Sequence, residues 1–397
     1  MATVFENSSI AGMKLKNRII RSATHEGMGD KDGRPTADLT GLYVKLAQGG
    51  VGAIITGYAA IQKNGRTMLN MRMFDCDELI DDYKQMNTQL SEYGAPVILQ
   101  IAHGGGQTNR HVIGEQSVAP SPHNYPLFSS MARELSENEI TEIIDNFVLA
   151  IERSKKAGFS GAQLHAGHGY LLHEFLSPHL NMRKDRWGGS TENRFMILGE
   201  IIHKARERVG NFPVLAKFSA YDGDDNGIRI DEGIKIAELF QKTGFDAIEV
   251  SCGGSEDGYN ATRVPEISMD AAFALTPWMR SLSIEKKELM REMAPHVIKL
   301  HFPLYNFNVE AAARIKENVD IPIIVVGGIR RLQDMENIIS GNKADYVSMC
   351  RPFIIEPGIV NKFKSGAQDE SKCINCGYCL MGVAGAKLRC YYGKVSI

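Results

Sequence analysis

Short apolar runs rich in β-branched residues alternate along the chain with longer segments whose apolar residues recur every three or four positions. The short runs predict eight strands, at Asn17–Ser22, Ala53–Thr56, Pro96–Ile101, Gly161–Leu164, Val214–Phe218, Ala247–Val250, Ile323–Val326 and Asp345–Met349. The longer segments predict helices at Leu39–Gln48, Glu78–Tyr93, Glu137–Ala157, Glu192–Arg208, Asp231–Lys242, Val309–Asn318 and Leu332–Ser340. Strands separated by helices in this way suggest a (β/α)8 barrel of the α/β class. An open doubly wound sheet is the competing arrangement.

Several boundaries are readable in the residues. In "LSENEI", Ser136 is followed three positions later by Glu139, the spacing of a capping box. "KAGFSGAQL" and "KTGFDAIEV" each place a glycine between a helix and a strand. Gly158 and Gly244 can take the left-handed conformation that ends a helix at little cost. Polar excursions at about 103–136, 170–190 and 251–301 each follow a strand. In a barrel, such loops build the functional face. No long polar linker divides the chain, so residues 1–365 read as one barrel and 366–397 as a short cysteine-bearing extension.

Composition narrows the partners. The chain has 397 residues, 43% of them hydrophobic and 23% charged, with a formal net charge of -2. That is globular composition with ample core material, and it gives no global attraction to nucleic acid or an acidic membrane. No basic run is interleaved with aromatics, which argues against nucleic-acid binding. The start, "MATVFENSSIAGMKLKNRII", lacks the basic-then-apolar layout of a secretory signal. Runs such as "VGAIITGYAAI" fall short of the roughly 20 residues that span a bilayer. A soluble, cytoplasmic protein is expected.

Two strand ends carry chemistry. "IPIIVVGGIR" ends the seventh strand in Gly327-Gly328, and "DYVSMCRPFIIEP" ends the eighth before Arg351. Late-strand loops of a barrel often hold a phosphate, with glycine amides approaching the anion and a cation adding charge-assisted bonds. A tight turn and a surface arginine are the plainer reading. Neither this pair nor "GGGQ" at 104–107 forms the GxGxxG of a dinucleotide fold. At the end of the fourth strand, His165, His168 and Tyr170 fall within six residues. They could be buried structural groups, or part of a zinc site that lacks a clear third ligand. Alternatively, two N–H donors could converge on one substrate oxygen beside a phenolic proton donor.

"LHAGHGYLLHEFLSPHLNMRKDRWGGSTENR" resembles the signature of the old yellow enzyme family, the FMN-dependent ene reductases. "KLKNRIIRSATHEG", "GLYVKLAQGGVGAIITG", "VILQIAHGGGQ" and "PIIVVGGIR" resemble that family in the expected order, over essentially residues 5–360. The resemblance implies a barrel with FMN at the carboxyl ends of its strands. It implies that His165 and His168 hold the substrate's electron-withdrawing group and that Tyr170 donates a proton. It places Gln100 at the flavin pyrimidine edge and Ala23 and Thr24 beside the isoalloxazine. It assigns Gly327, Gly328 and Arg351 to the phosphate. Lys217 stands where many members have arginine near flavin N1, which keeps a cation but loses the planar fork. Arg183, Asp185, Arg186 and Arg194 are expected to shape the loop rather than act in chemistry. The implied reaction is hydride transfer from reduced flavin to the β-carbon of an activated alkene (an unsaturated carbonyl, acid or thioester). NAD(P)H or a ferredoxin-type donor protein would supply the electrons. Barrels of this kind often associate, which is compatible with a homo-oligomer.

The tail reads C-x2-C-x2-C-x10-C through Cys373, Cys376, Cys379 and Cys390. Seven cysteines in a long chain without a signal argue against a disulfide framework. Overlapping C-x2-C steps favour a [4Fe–4S] cluster, with zinc or unligated thiols as alternatives. The tail resembles that of the dienoyl-CoA reductase and trimethylamine dehydrogenase branch, which binds such a cluster ahead of nucleotide-binding domains. The sequence ends seven residues after Cys390, and those domains are expected to be missing. The amine dehydrogenases of that branch use another residue at the first histidine position, so His165 speaks for alkene reduction. The readings carried forward are an ene reductase, including an enoyl-thioester or bile-acid-like reductase fed by ferredoxin, an FMN and iron–sulfur electron carrier or redox sensor, and a zinc enzyme.

Overall fold

The structure, a computed structural model, describes residues 2–223, 226–254, 257, 260–383 and 385–394. Eight parallel strands form the barrel: β1 (Ile19–Arg21), β2 (Ala53–Ile55), β3 (Val97–Ala102), β4 (Gly161–Ala166), β5 (Val214–Ser219), β6 (Ala247–Ser251), β7 (Ile323–Val326) and β8 (Tyr346–Met349). Each pairs with the next, and β8 pairs with β1, so the sheet closes. Every residue of these strands is buried, which is why they read as continuous apolar runs rather than alternating ones.

The outer ring is α1 (Ala37–Gln48), α2 (Ile80–Ser91), α3 (Glu137–Lys156), α4 (Thr191–Val209), α5 (Ile230–Thr243), α6 (Val309–Lys316), α7 (Leu332–Ser340) and α8 (Ile359–Lys364). Helix α3 shows how they form. Ser136 and Glu139 make the reciprocal capping box, and Ile140, Ile143, Ile144, Phe147 and Ile151 bury one face at helical spacing. Gly158 and Gly244 have φ of +77° and +91°, as the glycine stops predict. No helix among the described residues is long and apolar enough to cross a membrane.

A hairpin of Ser8–Ile10 with Met13–Leu15 closes the amino-terminal end of the barrel. It packs Ile10, Met13 and Leu15 against Ile20, Ile98 and Leu215. Burying one such side chain contributes roughly 1.5–3 kcal/mol. The functional loops therefore gather at the opposite, carboxyl end.

The structure departs from the sequence expectation in several places, among them α8, which was not expected. β4 runs to Ala166, two residues beyond the expected Leu164, so His165 lies inside the strand. A 3-10 turn at Asp77–Leu79 precedes α2. The excursions carry their own elements: short strands at Val118–Ala119, His123–Tyr125 and Ser130–Glu134, and helices at Met269–Leu275, Pro277–Arg280 and Ile284–Val297. Strands of two to five residues are too short to show a period. The last helix contains Pro295 and buries no residue fully, so its apolar pattern is weak.

Ion pairs, buried on both sides at Glu26 and more exposed at Arg186, link the loops to the barrel. The Glu26 carboxylate accepts from Arg21 at 2.7 Å, Tyr43 Oη at 2.7 Å and the Gly57 amide at 2.8 Å, with Arg72 3.4 Å away. Burial alone would raise its pKa, but Arg21 and Arg72 bring it below the ordinary carboxylate value. Arg183 donates to the Pro120 and Leu135 carbonyls and pairs with Asp185. Arg186 bridges Glu137 and Glu200, and Arg194 pairs with Glu232. These contacts tie loops and helices together.

Candidate functional site

The chain leaves β4 through Gly167, His168 and Gly169 before the short helix Leu171–Leu176. His168 has φ of +60°, a left-handed conformation that costs a side-chain residue roughly 1–2 kcal/mol. Three hydrogen bonds offset that cost. Its amide donates to Ser219 Oγ at 3.0 Å, its carbonyl accepts from Gln107 Nε2 at 2.6 Å, and its ring Nε2 lies 2.7 Å from Ser251 Oγ. The turn sets the His168 ring nearly perpendicular to His165, with centroids 5.1 Å apart. The Tyr170 ring lies 4.5 Å from His165.

Burial sets the charge of these groups. It lowers His165 well below the usual imidazole value, helped by the charges of His168 and Lys217. His168 is lowered likewise, by burial and then by Lys217 and His173. Both rings are therefore neutral near pH 7. His165 Nδ1 accepts from the Gly167 amide at 3.4 Å, which leaves the proton on Nε2. Burial raises Tyr170 well above the usual phenol value, so it keeps its proton.

A polar layer crosses the barrel at the same end. Gln100 Nε2 donates to Gln163 Oε1 at 2.7 Å, and Gln163 Nε2 donates to Glu249 at 3.1 Å. Ser348 Oγ donates to the other Glu249 oxygen at 2.8 Å. Lys217 Nζ donates to Ser22 Oγ at 2.9 Å and lies 3.5 Å from Glu249. Register explains the grouping, because Gln100 faces Gln163, and Lys217 faces both His165 and Glu249.

At the ends of β7 and β8, Gly327 and Gly328 have φ of +145° and +70°. A Cβ on Gly328 would strike the Leu304 carbonyl, and one on Gly327 would come within 2.7 Å of Asn308 Nδ2. Arg351 Nη1 donates to the Arg263 carbonyl at 3.0 Å. Asn375 Nδ2 is buried without a hydrogen-bond partner among the described residues.

All ten of the residues expected to bind cofactor or substrate line one cavity of about 390 Å³: Ala23, Thr24, Gln100, His165, His168, Tyr170, Lys217, Gly327, Gly328 and Arg351. Sequence reasoning missed Tyr58, His25, Ser251, Ser348 and Asn375, which line it too. It also missed Glu249, although a carboxylate inside the apolar run "AIEV" was a visible signal. Tyr58 ends the run "IITGY" and gave a weaker one.

Cys373, Cys376, Cys379 and Cys390 line an adjoining cavity of about 30 Å³. Asn375 and Gly377, with φ of +61° and +78°, turn the C-x2-C steps back on themselves. Burial pushes the Cys379 thiol up to about 12 and raises Cys376 as well. Among the described residues, no three His, Cys, Asp or Glu side chains are grouped to hold a single metal ion. Arg351 and Cys379 border both cavities. The extension then crosses the barrel mouth, with the Leu388 amide donating to the Glu26 carbonyl at 2.9 Å.

A family model described as NADH:flavin oxidoreductase / NADH oxidase matches residues 3–256 and 266–370. The chain belongs to that family. An NADH oxidase from Thermoanaerobacter brockii is 32% identical over 400 aligned positions, covering 99% of this chain and 56% of the relative. An NADPH dehydrogenase from Listeria welshimeri is 30% identical over 359 positions, covering 90% of this chain and 93% of the relative. A 2-naphthoyl-CoA reductase structure superposes with a TM-score of 0.83 at 22% identity, covering 98% of this chain and 56% of that one. At that identity the likeness is of fold. The chain thus spans about half the length of the NADH oxidase. Within this family of flavin oxidoreductases, the old yellow enzyme resemblance of the motifs stands, as does the barrel it implied.

The cavity fits a flavin mononucleotide. Its volume lies within the usual range for cofactor sites. Its floor is polar, the glycine pair leaves room for backbone alone, and the unpaired Asn375 amide offers a donor beside Arg351.

Proposed function

We propose that this protein is an FMN-dependent reductase of activated alkenes, with a [4Fe–4S] cluster on its cysteine extension. The observation that carries the reading is the wall of two neutral imidazoles and a protonated phenol above a polar barrel floor. FMN, when bound, supplies the two-electron hydride chemistry. Everything else falls to the chain. Gly327, Gly328 and Arg351 hold the phosphate. Gln100 and Lys217 face the ring system, and Ala23 and Thr24 pass beside it. His165 and His168 hydrogen-bond the substrate carbonyl oxygen and stabilise the negative charge that develops there. Tyr170 holds the proton destined for the α-carbon.

The charges favour an uncharged carbonyl or thioester over a free acid. Both imidazoles are neutral, and the Lys217 ammonium already faces Glu249. A carboxylate beside the histidines would lose hydration without gaining a cation.

Four thiols lining one small cavity support a shared ligand set, and their overlapping C-x2-C steps favour a multi-iron cluster over zinc. NAD(P)H or a separate donor protein would deliver the electrons. The shared border at Cys379 and Arg351 also supports a second reading, an FMN and iron–sulfur electron carrier without a committed organic substrate.

One anaerobic experiment separates these readings. The purified protein is photoreduced and mixed with cyclohexenone, and the flavin band is followed. Prompt return of oxidised flavin is expected. Flavin that stays bleached would favour the electron carrier. Broad absorbance beneath the flavin in the starting spectrum is the expected mark of the cluster, and its absence would return the cysteines to zinc or free thiol.

Gly328→Ala tests the phosphate cradle. Left-handed strain of roughly 1–2 kcal/mol, before any collision with Leu304, should weaken flavin retention about tenfold or more. Flavin absorbance per protein after gel filtration measures it. Full occupancy in the variant would remove the glycine pair from this role.

A further inference from the structure

Tyr170 is bonded to a second buried phenol. Its hydroxyl donates to Tyr58 Oη at 3.0 Å, and Tyr58 Oη lies 3.4 Å from Thr67 Oγ1. Tyr58 sits just beyond β2, with its ring 5.3 Å from Tyr170 and stacked on His25 at 5.0 Å. Tyr58 and Thr67 are 8% and 7% exposed, and the loop continues to Leu69, which is 56% exposed. The three hydroxyls therefore form a chain from the histidine wall to Thr67, which lines the same cavity and also donates to Met71 Sδ at 3.4 Å. Without such a path, a Tyr170 that has given up its proton is a buried phenolate, which burial disfavours.

We propose that Tyr58 is a relay residue that stabilises and reprotonates Tyr170 between turnovers. This rests on the proton-donor reading of Tyr170. The Tyr170 O–H bond breaks as the α-carbon C–H bond forms. Tyr58 then turns its hydroxyl toward the Tyr170 oxygen and passes its proton across. Tyr58 takes a proton from Thr67, and Thr67 takes one from solvent water, which leaves as hydroxide. One solvent proton is consumed per alkene, and no electrons move along the path. Tyr58 touches neither hydride nor substrate oxygen in this scheme, so it acts through Tyr170.

Tyr58→Phe keeps the ring and removes the relay hydroxyl. The flavin-loaded variant is compared with the unaltered protein and with Tyr170→Phe. The readouts are single-turnover reoxidation by cyclohexenone, multiple turnover with dithionite as electron source, and phenol binding by the charge-transfer band. For Tyr58→Phe, the first turnover should stay within about threefold, while later turnovers slow roughly tenfold or more. Small weak acids in the buffer should restore the later turnovers by replacing the relay. Phenol affinity should hold, reporting an intact pocket. Unchanged multiple turnover would overturn the relay. So would a parallel loss of first turnover, later turnover and phenol affinity, which marks a packing role. If Tyr170→Phe reoxidises at the normal rate, the proton-donor reading fails and the relay fails with it. A slow Tyr170→Phe beside a normal Tyr58→Phe removes the relay alone.

Discussion

Replacing Tyr170 with phenylalanine is expected to slow alkene reduction by roughly 10²–10⁴-fold, the usual worth of a positioned general acid, while flavin reduction stays within about twofold. The asymmetry follows from position. Tyr170 caps the short helix after the β4 turn and holds its ring 4.5 Å from His165, on the wall where the α-carbon of a bound enone would lie. It takes no part in the polar layer of Gln100, Gln163, Glu249 and Lys217. Phenylalanine keeps the ring and removes only the proton and its bond to Tyr58. Because burial raises the phenol above its usual value, the donor form persists as pH rises through neutrality. Alkene reduction should therefore show no alkaline loss below about pH 9 from this group. Stopped-flow measurement of the two half-reactions separates the outcomes. Equal slowing of both would remove Tyr170 from proton transfer.

The second large effect is expected at His165. His165→Ala should cost roughly 10²–10³-fold in alkene reduction, the scale seen when one oxyanion donor is lost. It should also abolish the charge-transfer band of phenols, which imitate the enolate oxygen. His165 is the cleaner of the two histidines to alter. It lies within a strand, whereas His168 sits in a left-handed turn and its ring already meets Ser251 Oγ at 2.7 Å. The sign of the pH dependence follows from burial. Both imidazoles are held below their unfolded value, so the fold favours their neutral forms. Their contribution is fully present above the unfolded value of about 6.5 and is lost as pH falls through the lowered folded value. Phenol affinity in the unaltered protein should thus be level through neutrality and fall only in acid. An unchanged phenol band in His165→Ala would sink the assignment.

Much of the architecture was legible in the residues. The strand–helix rhythm, the capping box at Ser136 and Glu139, and the glycine stops at Gly158 and Gly244 all appear where the chain predicts them. These are local signals, set by side-chain period and by backbone conformations only glycine takes cheaply. The small sheet after β3 and the helices after β6 were not legible. Their segments are short or half-exposed, and Met269–Leu275 buries Ala271, Ala272 and Leu275 against Met381 and Tyr391 of the distant extension, a partner that local spacing does not announce.

By itself the sequence determined the order of elements and the kinds of chemistry on offer: an imidazole pair with a phenol, a glycine–arginine end, and a four-thiol tail. Which groups meet was decided only by the closed barrel. Tyr170 reaches Tyr58 across 112 positions and Lys217 reaches Ser22 across 195, while Glu249 joins residues from three other strands. Closure places the ends of distant strands side by side, and burial there sets the charges. Neither the neutrality of the histidines nor the company of Tyr170 could be read from spacing along the chain, because both depend on what surrounds a side chain in space.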